Sequence, residues 1–258
     1  MNYLKLWLAF FKNCFQRELE FKAQFFGKIT VELFFLFSQV LTFVAFFSAS
    51  PKLGSWTFSE IQLFLGSLFV IDGFFMLLTH DNMNKFNSYI KLGELDFHLL
   101  RPVNSLFMSL FRFCNFVGFI NLAFGIALLY LSGKISFSTN TLLLFYHYII
   151  GFLIVFSLNI IVCSVTFWTQ QATSLVWLFA EFYQFSFRPD ELYPSIVRKI
   201  ILFVFPAAFI VSVPVKLYLG KIDGTLWHSL PTVVALVFLA ASIGIWKLSL
   251  KKYEGVMA

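Results

Sequence analysis

The chain has 258 residues, of which 59% are hydrophobic and only 12% charged, with a mean hydropathy of +0.83. A water-soluble domain carries about a quarter charged residues to solvate its surface, so this composition excludes one and calls for lipid around much of the exterior. The net charge of +6 comes from basic residues flanking apolar segments, the arrangement that orients membrane proteins, and does not point to nucleic acid.

Residues 1–24 lack the continuous apolar core and cleavage site of a signal peptide. Leu4, Trp7, Leu8, Phe11, Phe15 and Leu19 form a helical stripe, with Lys5, Lys12, Asn13, Gln16 and Glu20 on the other side. That pattern predicts a basic amphipathic helix lying along the membrane interface. Apolar runs of spanning length follow at 29–48, 61–79, 106–131, 142–167 and 225–248, each near the roughly 20 residues a bilayer requires. Pro51 and Gly54 mark a turn after the first, and Ser132, Gly133 and Lys134 close the third. The 38 phenylalanines read as lipid-facing filler.

The stretch 170–221 is ambiguous. Residues 174–187 are apolar but short, and Glu181 interrupts them. Residues 200–219 are long enough to cross, but Pro206 and Pro214 break them, since proline removes a backbone donor. Counting both as spans makes seven and places Lys247, Lys251 and Lys252 opposite the basic N-terminus, against the positive-inside rule. Six spans put both termini in the cytoplasm with Lys5, Lys12, Arg17, Lys22, Lys28, Lys85, Lys91, Arg101 and Arg112. One of the two disputed segments is then re-entrant, and the residues alone leave open which. No internal repeat or linker divides residues 1–258, which read as one all-α polytopic domain.

The polar segment 80–105 contains Gly93-Glu94-Leu95-Asp96-Phe97-His98-Leu99-Leu100-Arg101-Pro102-Val103. Gly93 suits the end of one helix. Glu94 and Asp96 suit the positive end of the next helix, and Arg101 its negative end. Pro102 stops it. Leu92, Leu95 and Leu99 fall on one face. A short amphipathic helix on the cytoplasmic side follows, resting on headgroups or docking a partner.

The string Gly93 to Asp96 followed by Leu99-Leu100-Arg101-Pro102-Val103 resembles the cytoplasmic loop of the ABC transporter type 2 permeases, closest to a bacterial subgroup of exporters. Phe185-Ser186-Phe187, Pro189, Tyr193-Pro194, Phe205-Pro206 and Val213-Pro214 resemble that family's aromatic turn and its proline-punctuated external re-entrant helices. Phe187 stands where many relatives have glycine. The resemblance covers nearly the whole chain. It implies six transmembrane helices, with 170–187 as the fifth and 193–219 as an external re-entrant hairpin. Glu94, Leu95, Asp96, Leu99, Leu100, Arg101 and Pro102, after Gly93, would form a coupling helix. The implied partners are two ATP-binding subunits, a second permease (identical or paralogous) and membrane lipids, but no nucleic acid. The implied place is the bacterial plasma membrane, and the implied cargo is a lipid-like, amphipathic drug or peptide substrate.

No P-loop is present. Gly27-Lys28-Ile29-Thr30 and Gly133-Lys134-Ile135-Ser136 lack the upstream glycine and the correct spacing, so ATP and magnesium belong to a separate chain. The chain itself needs no cofactor, and no metal site is expected. Cys14, Cys114 and Cys163 are far apart and form no CxxC pair. His147 has no second ligand at helical spacing. His80 and Asp81, being adjacent on a helix, are expected to point apart. Asp72 and Glu181 are ionisable groups in apolar segments, which makes them candidate pathway or interface residues together with Pro206 and Pro214. Glu32 and Arg112 are close enough to the cytoplasmic ends to snorkel. A secondary transporter or channel acting without an ATPase is the alternative, although the repeats common in that class are not visible.

Overall fold

The computed structural model describes residues 3–91, 93–136, 138–169 and 172–252, the side chains of 87, 91, 172 and 173 aside. Among these residues there are twelve α-helices. Helix α1 (Tyr3–Glu20) turns at Phe21 into α2 (Lys22–Ala49). Helix α3 (Phe58–Phe75) starts on a capping box in which Thr57 and Glu60 satisfy each other's backbone amides. It runs through a π segment (Met76–His80) into α4 (Asp81–Lys91), well past the expected end of the second apolar run. Then come α5 (Glu94–Leu99), α6 (Ser105–Phe111), α7 (Gly118–Leu131), α8 (Thr139–Thr169) and α9 (Ala172–Gln184). Helices α10 (Ser195–Phe203) and α11 (Ser212–Tyr218) precede α12 (Thr225–Lys252). The last residues of the expected tail, from Tyr253, lie outside the described ones, as do Leu92, Gln170 and Gln171.

Among the described residues, four helices are long and apolar enough to cross a membrane: α2, the continuous helix Phe58–Phe86, α8 and α12. A fifth results if α10 and residues 207–218, bent by 73°, are taken as one span. Helix α7, at 14 residues, and α9, at 13, rise only about 20 Å each.

The run 106–131 is not one helix. It unwinds at residues 112–117, between α6 and α7. Backbone at that depth must find partners inside the protein, and α3–α4 supplies them. The Asn82 amide donates to the Phe113 carbonyl (2.7 Å) and accepts from the Phe113 N–H (2.8 Å). The Asn115 N–H donates to the Leu77 carbonyl (3.3 Å), which lies in the π segment, where the widened turn alters the usual pairing. Hydropathy continues through this break because the partners are side chains and carbonyls of another helix.

The core lies along α3, where Leu63, Phe64, Leu68 and Phe69 are fully enclosed. Helix α7 packs on it antiparallel through glycines spaced by seven, Gly66 against Gly125 and Gly73 against Gly118. A Cβ on Gly118 would lie 2.5 Å from the Gly73 carbonyl oxygen, and one on Gly125 would lie 2.9 Å from that of Gly66. Small residues let the backbones meet, which is how apolar helices associate where lipid offers no hydrophobic drive. On α8, Gly151 admits the Ile210 carbonyl in the same way.

Contacts sort the helix ends into two groups. At one end Phe86 of α4 meets Phe167 of α8 and Trp246 of α12, and Tyr3 of α1 meets Phe107 of α6. At the other, Lys221 bonds Glu60 (2.8 Å) and the Ser55 carbonyl (2.7 Å), and Tyr218 donates to the Lys134 carbonyl. The first and last described helices therefore finish at the same end. The amphipathic stripe of α1 divides: Trp7 and Phe11 pack on Phe113 and Phe116 around Cys14 and Cys114, while Leu4, Leu8 and Leu19 stay exposed.

Gly118→Ala should lower the stability of the purified protein by about 1–3 kcal/mol through overpacking. Gly244→Ala, where the added atom meets open space, should not. Thermal melting of the two variants in detergent checks the contrast.

Candidate functional site

The turn before α5 needs a left-handed residue, and Gly93 supplies it at φ 68°. Glu94 and Asp96 open the helix. Leu95 is fully buried and His98 is 1% exposed, whereas Phe97, Leu99 and Leu100 project outward, Leu100 at 82%. Arg101 and Pro102 follow on the exposed side. Of the expected common face, Leu95 is buried and Leu99 is exposed, and Leu92 lies outside the described residues. The helix instead turns the edge carrying Leu95 and His98, three residues apart, onto α4 and α6, so Leu95 is an anchor and not a contact surface. His98 was not singled out by the sequence reading. Its signal is the i, i+3 spacing from Leu95.

Arg112 secures that anchor. It is not a snorkelling residue, because it sits at the unwound joint after α6. Its Nη1 donates to His98 Nε2 at 2.9 Å, which puts the imidazole proton on Nδ1. The Tyr89 ring stands edge-on to the imidazole at 4.7 Å. Burial, then the charges of Arg112 and Arg101, push His98 down to about 4.

Asp72 is 7% exposed inside α3. Its Oδ2 accepts from Asn121 Nδ2 of α7 (2.8 Å) and its Oδ1 from the Tyr183 hydroxyl of α9 (3.1 Å). Neither partner was picked out from the sequence, because uncharged polar residues carry no signal of this kind until the fold brings them together. Glu32, expected to snorkel, is half-buried on α2.

Glu181 lies elsewhere. It is exposed and lines a hollow of about 290 Å³ with Phe35 and Gln39 of α2, Gln184 of α9, Arg188 and Tyr193. Pro206 sits at the bend between α10 and the next turn. Pro214 does not break a helix but occupies the first turn of α11, where its missing N–H leaves nothing unsatisfied. The structure therefore does not bring Asp72, Glu181, Pro206 and Pro214 together at one place.

Residues 190–216 carry a buried ionic knot that the sequence reading missed. Asp190 receives Lys216 Nζ (2.5 Å), Arg198 Nε (2.8 Å) and the Ser212 hydroxyl. Lys216 also reaches Glu191 (2.8 Å), which accepts from Ser55 (2.6 Å). Burial favours the neutral acid, but the bonds from Lys216 and Ser212 outweigh it and hold the Asp190 carboxyl below its ordinary value. The start and end of this segment thus meet at one end of the molecule.

Among the described residues no group of three His, Cys, Asp or Glu side chains is placed to hold a metal ion. His147 Nδ1 bonds the Leu143 carbonyl. His80 and Asp81 do touch, at 3.3 Å: the π turn that ends at His80 changes the angle between neighbours. Cys14 and Cys114, a hundred residues apart in sequence, share one cluster.

A family model described as ABC-2 family transporter protein matches residues 33–256. The chain belongs to this family and is the membrane component of an ABC-2 type transporter. Such components do not hydrolyse ATP; hydrolysis lies in a partner ATP-binding subunit. The comparisons with curated proteins and with solved structures each return no match.

Two measurements test the geometry. Asp190→Ala leaves Lys216 buried with only Glu191, so stability should fall toward the lower end of the roughly 3–5 kcal/mol seen for broken buried pairs. Denaturation of Asp190→Ala beside wild type reads this directly. For His98, neither the packed nor the released imidazole is charged above pH about 6.5. Between there and about 4, only the released one gains a proton, so acid progressively loosens α5. Amide exchange in residues 94–99 should quicken from pH 7 to pH 5, beyond its intrinsic pH dependence, in wild type and not in His98→Gln.

Proposed function

We propose that this chain is the permease subunit of an ATP-driven exporter in the bacterial plasma membrane and that α5 is its coupling helix. The observation that carries this is a short helix held from beneath by Leu95 and His98 while Phe97, Leu99, Leu100, Arg101 and Pro102 face away from the body. An apolar patch with one cation, mounted on a rigid anchor, suits the cleft of a separate protein better than a loose membrane-resting segment. Glu94 and Asp96, at the first turn, add acceptors on the rim.

Six spans with both termini cytoplasmic fit the arrangement of helix ends: α2, α3–α4, α7, α8, α9 and α12, with α1 along the interface. The unwound joint lets α7 serve as a span despite its length. Residues 193–219 read as an external re-entrant hairpin, supported by the Asp190–Lys216 pair, which joins residues flanking the bend at one end of the bundle. The assembly has two ATP-binding subunits holding ATP and magnesium and a second permease, identical or paralogous. Closure of the ATPases pushes α5 and, through Arg112 and the joint at 112–117, α7. The hollow carrying Glu181 and Arg188 between aromatic rings suits a lipid-like or amphipathic drug or peptide substrate, or the facing permease.

Phe97→Ala with Leu100→Asp should weaken association with the ATP-binding subunit by on the order of 2 kcal/mol, as for an interface anchor, and uncouple ATPase activity from the permease. Melting of the permease alone should stay unchanged. Co-purification and ATPase assays in liposomes check this. Unchanged coupling would refute the assignment, and gradient-driven transport without any ATPase would favour a secondary transporter instead.

A further inference from the structure

The hollow between α2 and α9 holds an acid and a base that do not meet. Glu181 projects from α9, and Arg188 follows the short turn Phe185–Phe187 on extended backbone. Both are exposed, and among the described residues neither makes a hydrogen bond or an ion pair. The side-chain amides of Gln39 and Gln184 line the same space and are likewise unbonded. The rest of the wall is aromatic. Phe187 stands edge-on to Phe35 of α2 at 5.7 Å, and Phe185 edge-on to Tyr193 at 5.4 Å. The Tyr193 hydroxyl already donates to the Phe185 carbonyl (3.3 Å), so the hollow meets its ring.

The place of this hollow makes the two charges informative. Phe35 and Gln39 stand near the middle of α2, a 28-residue helix, and Val31 and Phe34 on the same stretch are exposed, so lipid reaches the edge of the hollow. A charge at membrane depth is costly, and it persists where it meets a polar ligand or water. Opposite charges in one hollow would be neutralised most simply by pairing with each other. The turn between them prevents this, because Phe187 is buried against Phe35 and fixes where Arg188 begins.

We propose that this hollow receives the headgroup of a zwitterionic phospholipid from the side, with the phosphate on Arg188 and the ammonium on Glu181. The role of that lipid as cargo rests on the export reading above; its binding does not. A guanidinium matches phosphate oxygens through paired N–H donors. A carboxylate among aromatic faces suits an ammonium. The two glutamines offer both donors and acceptors to the remaining headgroup atoms. At about 290 Å³ the space is at the small end of ligand pockets, which run from roughly 300 Å³ upward. It admits a headgroup while the acyl chains stay in lipid beside α2. An anionic lipid would leave Glu181 unanswered.

Native mass spectrometry of the purified full chain, without any ATPase, tests the assignment by titration with phosphatidylethanolamine and phosphatidylglycerol of identical acyl chains. Wild type should hold phosphatidylethanolamine about tenfold more tightly, the worth of one charge-assisted hydrogen bond. Arg188→Gln should weaken both lipids. Glu181→Gln should weaken phosphatidylethanolamine alone and erase the preference. Neither side chain has an internal partner, so melting of the variants should match wild type. Equal wild-type affinity for the two lipids, or a preference that survives Glu181→Gln, would overturn the assignment. So would soluble glycerophosphoethanolamine competing as strongly as the lipid, or variants that break a permease dimer holding no lipid. Because wild type must show the preference by itself, a poorly folding variant does not shelter the idea. Absent lipid preference beside intact ATPase coupling removes this inference alone, whereas selective binding without coupling removes the export reading and keeps the site.

Discussion

A backbone amide buried away from water must be paired within the protein, and much of this molecule's organisation follows from that constraint. The apolar stretch that begins at residue 106 unwinds at 112–117 and is tolerated because Asn82 pairs both backbone groups of Phe113 and the π segment presents the Leu77 carbonyl to Asn115. Arg112 begins the joint and also bonds His98 of α5, so α5 is tied directly to the joint that precedes α7.

The two ends of the molecule are stabilised by different chemistry. Near the termini, aromatic rings pack with cations and with one another: Arg17 and Lys85 lie over Phe113, and Phe86 joins Phe167 and Trp246. At the opposite end the ties are ionic, from the Asp190 knot and from Lys221, which bonds Glu60 and lies over Trp56. Between the ends, glycine contacts bring α3 and α7 together, and Asn121 of α7 donates to Asp72 of α3.

Several polar residues in the apolar region are matched by a group from another helix. Asp72 finds Asn121 and Tyr183, Asn82 finds Phe113, and Ser67 meets the Tyr148 hydroxyl at 2.6 Å. Such pairs select one helix arrangement from many apolar packings of similar energy, since an unmatched polar group there costs more than an imperfect apolar contact.

From the sequence by itself came the all-α membrane character, the long apolar helices, Gly93 as the end of one helix and the short helix between Glu94 and Pro102. All of these rest on local composition, periodicity or backbone preference, which a single segment carries alone. Only the tertiary structure decided that the stretch 106–131 is two helices and that α5 buries Leu95 with His98 and not with Leu99. It also brought Asn121 and Tyr183 onto Asp72 and set Asp190 against Lys216. Each of these depends on a partner from a distant segment, and hydropathy does not register a hydrogen-bond partner on another helix.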